Sequence, residues 1–389
     1  MKPALKIAFL HFAEPYHCYH AAPMASAMAR LPGCEVVEFV NYSACLPHLA
    51  HIRKRLGTPA LPQHTFRKSW YCRGLEKAHL LDAQRLQLLR ENVAQLQEFD
   101  AVVATEYTAA LLKKAGLRAK LVYLSHGAGD RKVGDEALIR HFDLALLPGP
   151  KMADYLHGQG WLSRKQIRTV GAPKLDLLPA IPGKGAPFGT QPYVLYNPHY
   201  KNSLNGWKHL LPQVVEAFRS RQGTGSDAGL GLMVAPHVKL FHEGWGATAR
   251  WLQSFAGGNI RVDTGSMAMQ DLSYTSTASL YLGDISSQVY EFLIRPRPCV
   301  FLNPLRLDWR GNPYFRHWAL GDVVEDPADL MEAIRAAPER HALYLQAQQA
   351  LLHETYTLPS ENMTAPGAGE QTAGLCNAHA LRDWLLEQG

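Results

Sequence analysis

Residues 280–303 read Leu280-Tyr281-Leu282-Gly283-Asp284-Ile285-Ser286-Ser287-Gln288-Val289-Tyr290-Glu291-Phe292-Leu293-Ile294-Arg295-Pro296-Arg297-Pro298-Cys299-Val300-Phe301-Leu302-Asn303. An apolar run ends in Gly-Asp, two serines open a short helical stretch, prolines stop it, and a second apolar run follows. This is the pattern of one βαβ unit and predicts an α/β fold. Serines at a helix start can cap its orphan N–H groups, and the same end offers dipole and donors to a phosphate. Glu291 follows Ser287 by one turn, where a carboxylate can accept hydrogen bonds from ribose hydroxyls. The plainer alternative is that Ser286 and Ser287 only cap a helix.

Outward from that unit the same grammar repeats. Tyr193 to Tyr196 and Gly231 to Ala235 are strand-like, with helical periodicity around Trp207 to Arg219 between them, and Pro236-His237 ends the second run. Ile260 to Val262 leads into Asp263-Thr264-Gly265-Ser266. Residues 179–192 carry Pro179, Pro182, Gly183, Gly185, Pro187, Gly189 and Pro192 and read as a linker. Before the linker, Ile7 to Phe12, Glu35 to Val40, Asp100 to Thr105 and Ala119 to Leu124 are further apolar runs separated by helical segments, a Rossmann-like opening. The expected domains are residues 1–178, linker 179–192, residues 193–375, and a final helix, 376–389, packing back on the first domain.

In an open α/β sheet, ligands bind at the carboxyl ends of the strands. Three groups of residues are expected there. His11 and the loop Ala13 to Ala22, with Glu14, Tyr16, His17, Tyr19 and His20, follow the first strand. Ser125-His126-Gly127-Ala128-Gly129-Asp130-Arg131 follows the strand ending at Leu124, and its glycines let a substrate approach the backbone closely. His237 follows a strand in the other half. The loop histidines are too irregularly spaced for a metal site, and acceptor contact is the expectation.

Composition narrows the function. At 389 residues, with 47% hydrophobic and 19% charged residues, the chain is globular and long enough for about two domains. The net charge of +6 is mildly basic, and no run of like charges marks a nucleic-acid arm. The 6 cysteines form no CxxC pair, which argues against a zinc site or a disulfide framework and for a reducing compartment. No apolar run is long enough for a signal peptide or membrane span, so a cytoplasmic protein is expected. The most basic region holds Arg53, Lys54, Arg55, Arg67, Lys68, Arg73 and Lys77, with Phe66, Trp70 and Tyr71 among them. It suits an anionic membrane surface or a polyanionic acceptor, or else is a solvated helical face.

The order of Ser125-His126-Gly127, Val170-Gly171-Ala172-Pro173-Lys174-Leu175-Asp176, Leu195-Tyr196-Asn197-Pro198, Pro236-His237 and Gly283-Asp284-Ile285-Ser286-Ser287 before Arg297-Pro298 resembles the CDP-glycerol glycerophosphotransferase family over roughly residues 100–389. The resemblance implies a GT-B architecture of two facing Rossmann-like domains with an interdomain cleft. It implies a transferase that moves a glycerol-phosphate, polyol-phosphate or sugar group from a CDP- or UDP-linked donor to a hydroxyl of a glycan or lipid-linked acceptor. No cofactor and no metal are expected. The catalytic pair would be His126 as base and His237 beside the leaving phosphate. Donor contacts would come from Ser286, Ser287, Asp284, Glu291, Gly171, Pro173, Asn197, Lys239 and Thr264, and acceptor contacts from His17, His20, Gly127 and Arg131. The family's usual Trp-His-Gly-Thr-Pro, Met-His-Pro and Thr-Asp-Tyr-Ser-Ser differ here in the neighbours of the histidines and serines. A second resemblance, to the non-hydrolysing UDP-N-acetylglucosamine 2-epimerases, rests on residues 126–131 with Asp135-Glu136 and Ile139-Arg140. A non-catalytic nucleotide- or glycan-binding scaffold is the third class.

Overall fold

The computed structural model describes residues 4–129, 134–178, 186–200, 206–220, 229–241, 246–358 and 372–388. Arg131 and residues 179–185 of the expected linker lie outside the described residues. The chain forms two compact units, one of Met1–Ala128, Lys132–Leu177 and His353–Gly389, the other of Gly129–Arg131 and Leu178–Leu352.

The first unit is built on a parallel sheet of strands β1 (Leu5–His11), β2 (Cys34–Val40), β3 (Gln63–Thr65), β4 (Ala101–Ala104), β5 (Lys120–Leu124), β6 (Leu144–Leu147) and β7 (Ile167–Thr169), in the order β3-β2-β1-β4-β5-β6-β7. The central strands β4 (Ala-Val-Val-Ala) and β6 (Leu-Ala-Leu-Leu) are unbroken apolar runs, buried throughout, because both faces of the sheet are covered there. Ala8 and Leu10 pack with Leu88, Leu89 and Leu96 on one side, and Ile7 and Phe9 pack with Met24, Met28, Leu381 and Trp384 on the other. Helix Cys18–Met28 takes in residues expected to be loop, and Pro23 lies inside it. Cys18, Tyr19, Met24, Ala25 and Met28 are fully buried there, and that packing outweighs the roughly 3 kcal/mol an internal proline costs.

The chain returns to this unit at His353. Helix Ala373–Gln388 packs on helix Cys18–Met28 and on residues 173–177. The Ala373 and Gly374 N–H groups donate to the Asp176 carboxylate at 2.9 and 2.8 Å, and Asn377 Nδ2 donates to the Val170 and Gly171 carbonyls at 3.0 and 3.1 Å. Gly171 holds φ at +81°, and a Cβ there would stand 2.7 Å from the Thr357 carbonyl oxygen, so glycine is required.

The second unit repeats the design with β8 (Tyr193–Asn197), β9 (Gly231–Val234), β10 (Ile260–Val262), β11 (Leu280–Gly283), β12 (Cys299–Leu302) and β13 (Asp322–Val324), all parallel, in the order β10-β9-β8-β11-β12-β13. Trp207, Leu211 and Val214 of helix Trp207–Arg219 seal its core with Val194, Leu232, Leu282 and Val300. In both sheets the strand order reverses at a central pair, β1 with β4 and β8 with β11. That is where an open sheet leaves a crevice at its carboxyl edge.

Candidate functional site

In the first unit the reversal gathers side chains from the ends of β1, β4 and β5. Glu14, His17 and His20 follow β1, Thr105 and Glu106 follow β4, and His126 follows β5. His17 is 2% exposed and its ring stands 4.4 Å from that of His126, centroid to centroid. Thr105 serves both rings: its Oγ1 is 3.0 Å from His17 Nδ1, and its carbonyl accepts from His126 Nδ1 at 2.6 Å. A carbonyl only accepts, so His126 carries its proton on Nδ1, and the neutral ring presents a lone pair at Nε2.

Glu106 Oε1 lies 3.0 Å from His17 Nε2. Burial raises the Glu106 pKa, but the His17 contact and charge, with His126 and Arg85, outweigh it and hold the carboxyl down to about 2. His20 is buried on its helix, and desolvation with the charges of Lys174, His126 and His17 pushes its pKa well down. Glu14 pairs with Arg85 at 3.0 Å. His11, expected at the ligand edge, instead meets Glu38 at 3.2 Å, and Arg53 Nη2 donates to the same buried carboxylate at 2.6 Å. That network is internal. Gly127 is exposed, and its carbonyl accepts from Ser125 Oγ at 2.9 Å.

In the second unit the reversal joins the ends of β8 and β11. Asp284, 3% exposed, accepts from the His199 N–H with both carboxylate oxygens at 3.1 Å, and its carbonyl accepts from His317 Nε2 at 2.8 Å and Trp318 Nε1 at 2.7 Å. Asn197 is buried, donating to the Ala235 carbonyl at 2.6 Å and accepting from Tyr281 at 3.2 Å. His237 follows β9, its ring 5.7 Å from that of His199 and 5.1 Å from that of Tyr200. The Lys239 N–H donates to His237 Nδ1 at 3.2 Å, so the neutral His237 ring carries its proton on Nε2. Lys239 Nζ lies 5.7 Å over the Tyr200 ring, and Thr264 Oγ1 accepts from Gln253 at 3.4 Å.

The serine pair divides. Ser286 is 1% exposed and its Oγ accepts from the Gln288 N–H at 3.4 Å, whereas Ser287 is exposed and makes no side-chain cap. Helix Gln288–Phe292, with half-buried Glu291, is only 5 residues long, so its dipole is small. Arg297 is spent on structure: it donates to the carbonyls of Thr275, Ser276, Ala278 and Phe292, and burial lowers its pKa to about 10. Gly171 and Pro173, expected with the donor set, lie in the first unit beside its last helix.

Glu106, Thr105 and His199 were not singled out from the sequence. A lone acid right after the apolar run Val102-Val103-Ala104 was the available sign for Glu106, and His199 closely follows Asn197 at a strand end. Among the described residues, no helix is long and apolar enough to cross a membrane.

Two parallel Rossmann-like sheets of 7 and 6 strands define an α/β protein of GT-B-like architecture. No protein-family profile matches the chain, and no curated protein does. Solved structures do. A Staphylococcus aureus MnaA structure with UDP matches 99% of this chain and 97% of its own at TM-score 0.65 and 12% identity. The Methanocaldococcus jannaschii UDP-GlcNAc 2-epimerase matches 99% and 100% at TM-score 0.59 and 13% identity. The wall teichoic acid polymerase TagF, soaked with CDPG, matches 98% of this chain and 89% of its own at TM-score 0.62 and 12% identity. The fold is therefore shared with enzymes that act on nucleotide-activated sugars and polyols.

Proposed function

We propose that the chain is a transferase moving a glycerol-phosphate, polyol-phosphate or sugar group from a CDP- or UDP-linked donor to a hydroxyl of a glycan or lipid-linked acceptor. The observation that carries this reading is the opposite hydrogen bonding of two histidines that each follow a strand, one in each unit: His126 Nδ1 meets the Thr105 carbonyl, which only accepts, and His237 Nδ1 accepts from the Lys239 N–H, so that as neutral rings they are opposite tautomers. A group transfer needs one of each. The acceptor hydroxyl gives its proton to His126 Nε2 while its oxygen bonds to the transferred phosphorus or anomeric carbon. The bond to the nucleotide breaks, and the departing phosphate keeps the electron pair and receives the hydrogen bond of His237 Nε2–H. Exposed Ser287 and half-buried Lys239 and Glu291 are the donor-side contacts, and His17 and Gly127 flank the acceptor. A cytoplasmic enzyme resting at the inner face of a membrane would meet a lipid-linked acceptor there.

The near-complete span of the Methanocaldococcus jannaschii UDP-GlcNAc 2-epimerase structure favours one second reading, an isomerase of a UDP-sugar. Of Asp135 and Glu136, one of which it would use, Asp135 is exposed, whereas Glu136 is buried and accepts from Tyr155 at 2.7 Å.

The test is calorimetric titration with CDP- and UDP-linked donors beside product analysis with and without acceptor. His126→Ala and His237→Ala should each lower turnover at least about 100-fold and leave donor affinity within a few-fold. Ser287→Ala should weaken donor binding first, about tenfold. Acceptor-independent conversion of a UDP-sugar that depends on Asp135 or Glu136 replaces the transferase with the isomerase, and histidine variants without effect leave a binding scaffold.

A further inference from the structure

We propose that His17, Glu106 and His126 form a three-ligand site for a divalent transition ion of the zinc class. One ligand atom from each side chain lies within 4.8 Å of the others. His17 Nε2 is buried, 3.0 Å from Glu106 Oε1 and 3.8 Å from Glu14 Oε2, yet among the described residues none meets it in hydrogen-bonding geometry. Two such atoms fit neighbouring vertices of a metal site, where bonds of about 2.1 Å set ligand atoms about 3.4 Å apart.

The outer contacts carry the inference further. Histidines that bind a metal through one nitrogen are held through the other, commonly by a backbone carbonyl or another fixed polar group. Thr105 does this for both rings, with Oγ1 at His17 Nδ1 and its carbonyl at His126 Nδ1. In each ring Nε2 is then the nitrogen for the ion. Two imidazoles and one carboxylate suit zinc, iron, cobalt or nickel rather than calcium or magnesium, and three protein ligands leave a vertex for water or a hydroxyl. A filled site would change the step given to His126 from base to ligand, with the ion acidifying the coordinated hydroxyl, and would leave the transfer itself in place.

Binding is read with neither donor nor acceptor present, so it is separable from the transferase assignment. Zn²⁺ titrated into the metal-stripped full chain should bind one per chain with Kd about 1 μM or tighter. Glu106→Gln and His126→Ala should each weaken it at least about tenfold, and Thr105→Val, which loses Oγ1 and keeps the carbonyl, about tenfold. Melting curves show whether each variant folds. If one does not, the visible absorption of the Co²⁺-loaded parent decides: intense bands of four- or five-coordinate cobalt support the site, and the weak bands of six-coordinate cobalt overturn it. Absence of one-to-one binding, or affinity unchanged in folded Glu106→Gln and His126→Ala, also overturns it. A chain that binds the ion and transfers nothing keeps the site and loses the transferase reading. One that transfers in chelator and binds no ion does the reverse.

Discussion

Asp284 shows how one side chain can set the geometry of the second site with its own oxygens engaged by protein. Its carboxylate accepts from the His199 N–H and, at 2.5 Å, from the Ile285 N–H, tying the ends of β8 and β11 together. Asp284→Ala removes those acceptors from a buried setting and should cost about 1–3 kcal/mol in urea unfolding, with weaker nucleotide binding as His199 shifts. Asp284→Asn keeps one oxygen in place and should lose less. Equal stability of parent and Asp284→Ala would show that the carboxylate organises nothing. At this scale the sequence was partly legible. His126 and His237 follow apolar runs that end in glycine or proline punctuation, so their exposure at a sheet edge follows from periodicity. That Glu106 meets His17 does not follow, because the two come from strands β4 and β1, adjacent only through the crossover. Arg53 read as part of a basic surface, but it is buried against Glu38, since a single acid 15 residues upstream gives no sign of pairing.

Helix Ala373–Gln388 is held by an acid far away in the chain. Asp176 accepts from its first two N–H groups, the task of an N-cap performed from another segment, and a Cβ on Gly374 would stand 2.5 Å from Asp176 Oδ2. Burial raises the Asp176 pKa to about 6, against the lowering by hydrogen bonds from Gly374, Thr372 and Ala373. With the ordinary carboxyl near 3.8, the folded chain binds this proton more readily than the unfolded chain between the two values. The contribution to stability is therefore largest below that window and falls as pH rises from about 4 to about 6. Urea unfolding of the parent and Asp176→Asn across that range should show the parent losing stability relative to the variant as pH rises. A difference that is flat, or that grows with pH, would refute the burial argument. A final helix was readable from the sequence over 376–389, although it begins at Ala373. Its partner was not, because Asp176 sits in Val170-Gly171-Ala172-Pro173-Lys174-Leu175-Asp176, a motif whose resemblance pointed to donor contact.

For the whole molecule, apolar runs closed by glycine, proline or histidine were enough to foresee two parallel Rossmann-like sheets, whereas strand order needed the crossovers themselves. The surface is where charge and fold must be read together. Of the basic region, Arg53 is buried and Lys68 pairs with Glu76 at 2.8 Å, while Arg67, Arg73 and Lys77 remain exposed on or beside helix Trp70–Lys77. Trp70 is 81% exposed and Tyr71 50%, with their rings 6.0 Å apart. Amphipathic rings flanked by cations suit the headgroup level of an anionic bilayer, where each Lys or Arg near the surface adds about 1 kcal/mol. Three such residues give about 3 kcal/mol, roughly a hundredfold in partitioning. The chain should therefore sediment with anionic vesicles at about 0.1 M salt and detach toward 1 M, as the Debye length falls from about 10 to about 3 Å. Arg73→Glu with Lys77→Glu should abolish the salt-sensitive part, and Trp70→Ala with Tyr71→Ala should weaken binding at every salt concentration. Equal sedimentation with neutral and anionic vesicles, or none with either, would leave this face as solvated surface and remove the membrane from the proposed acceptor route.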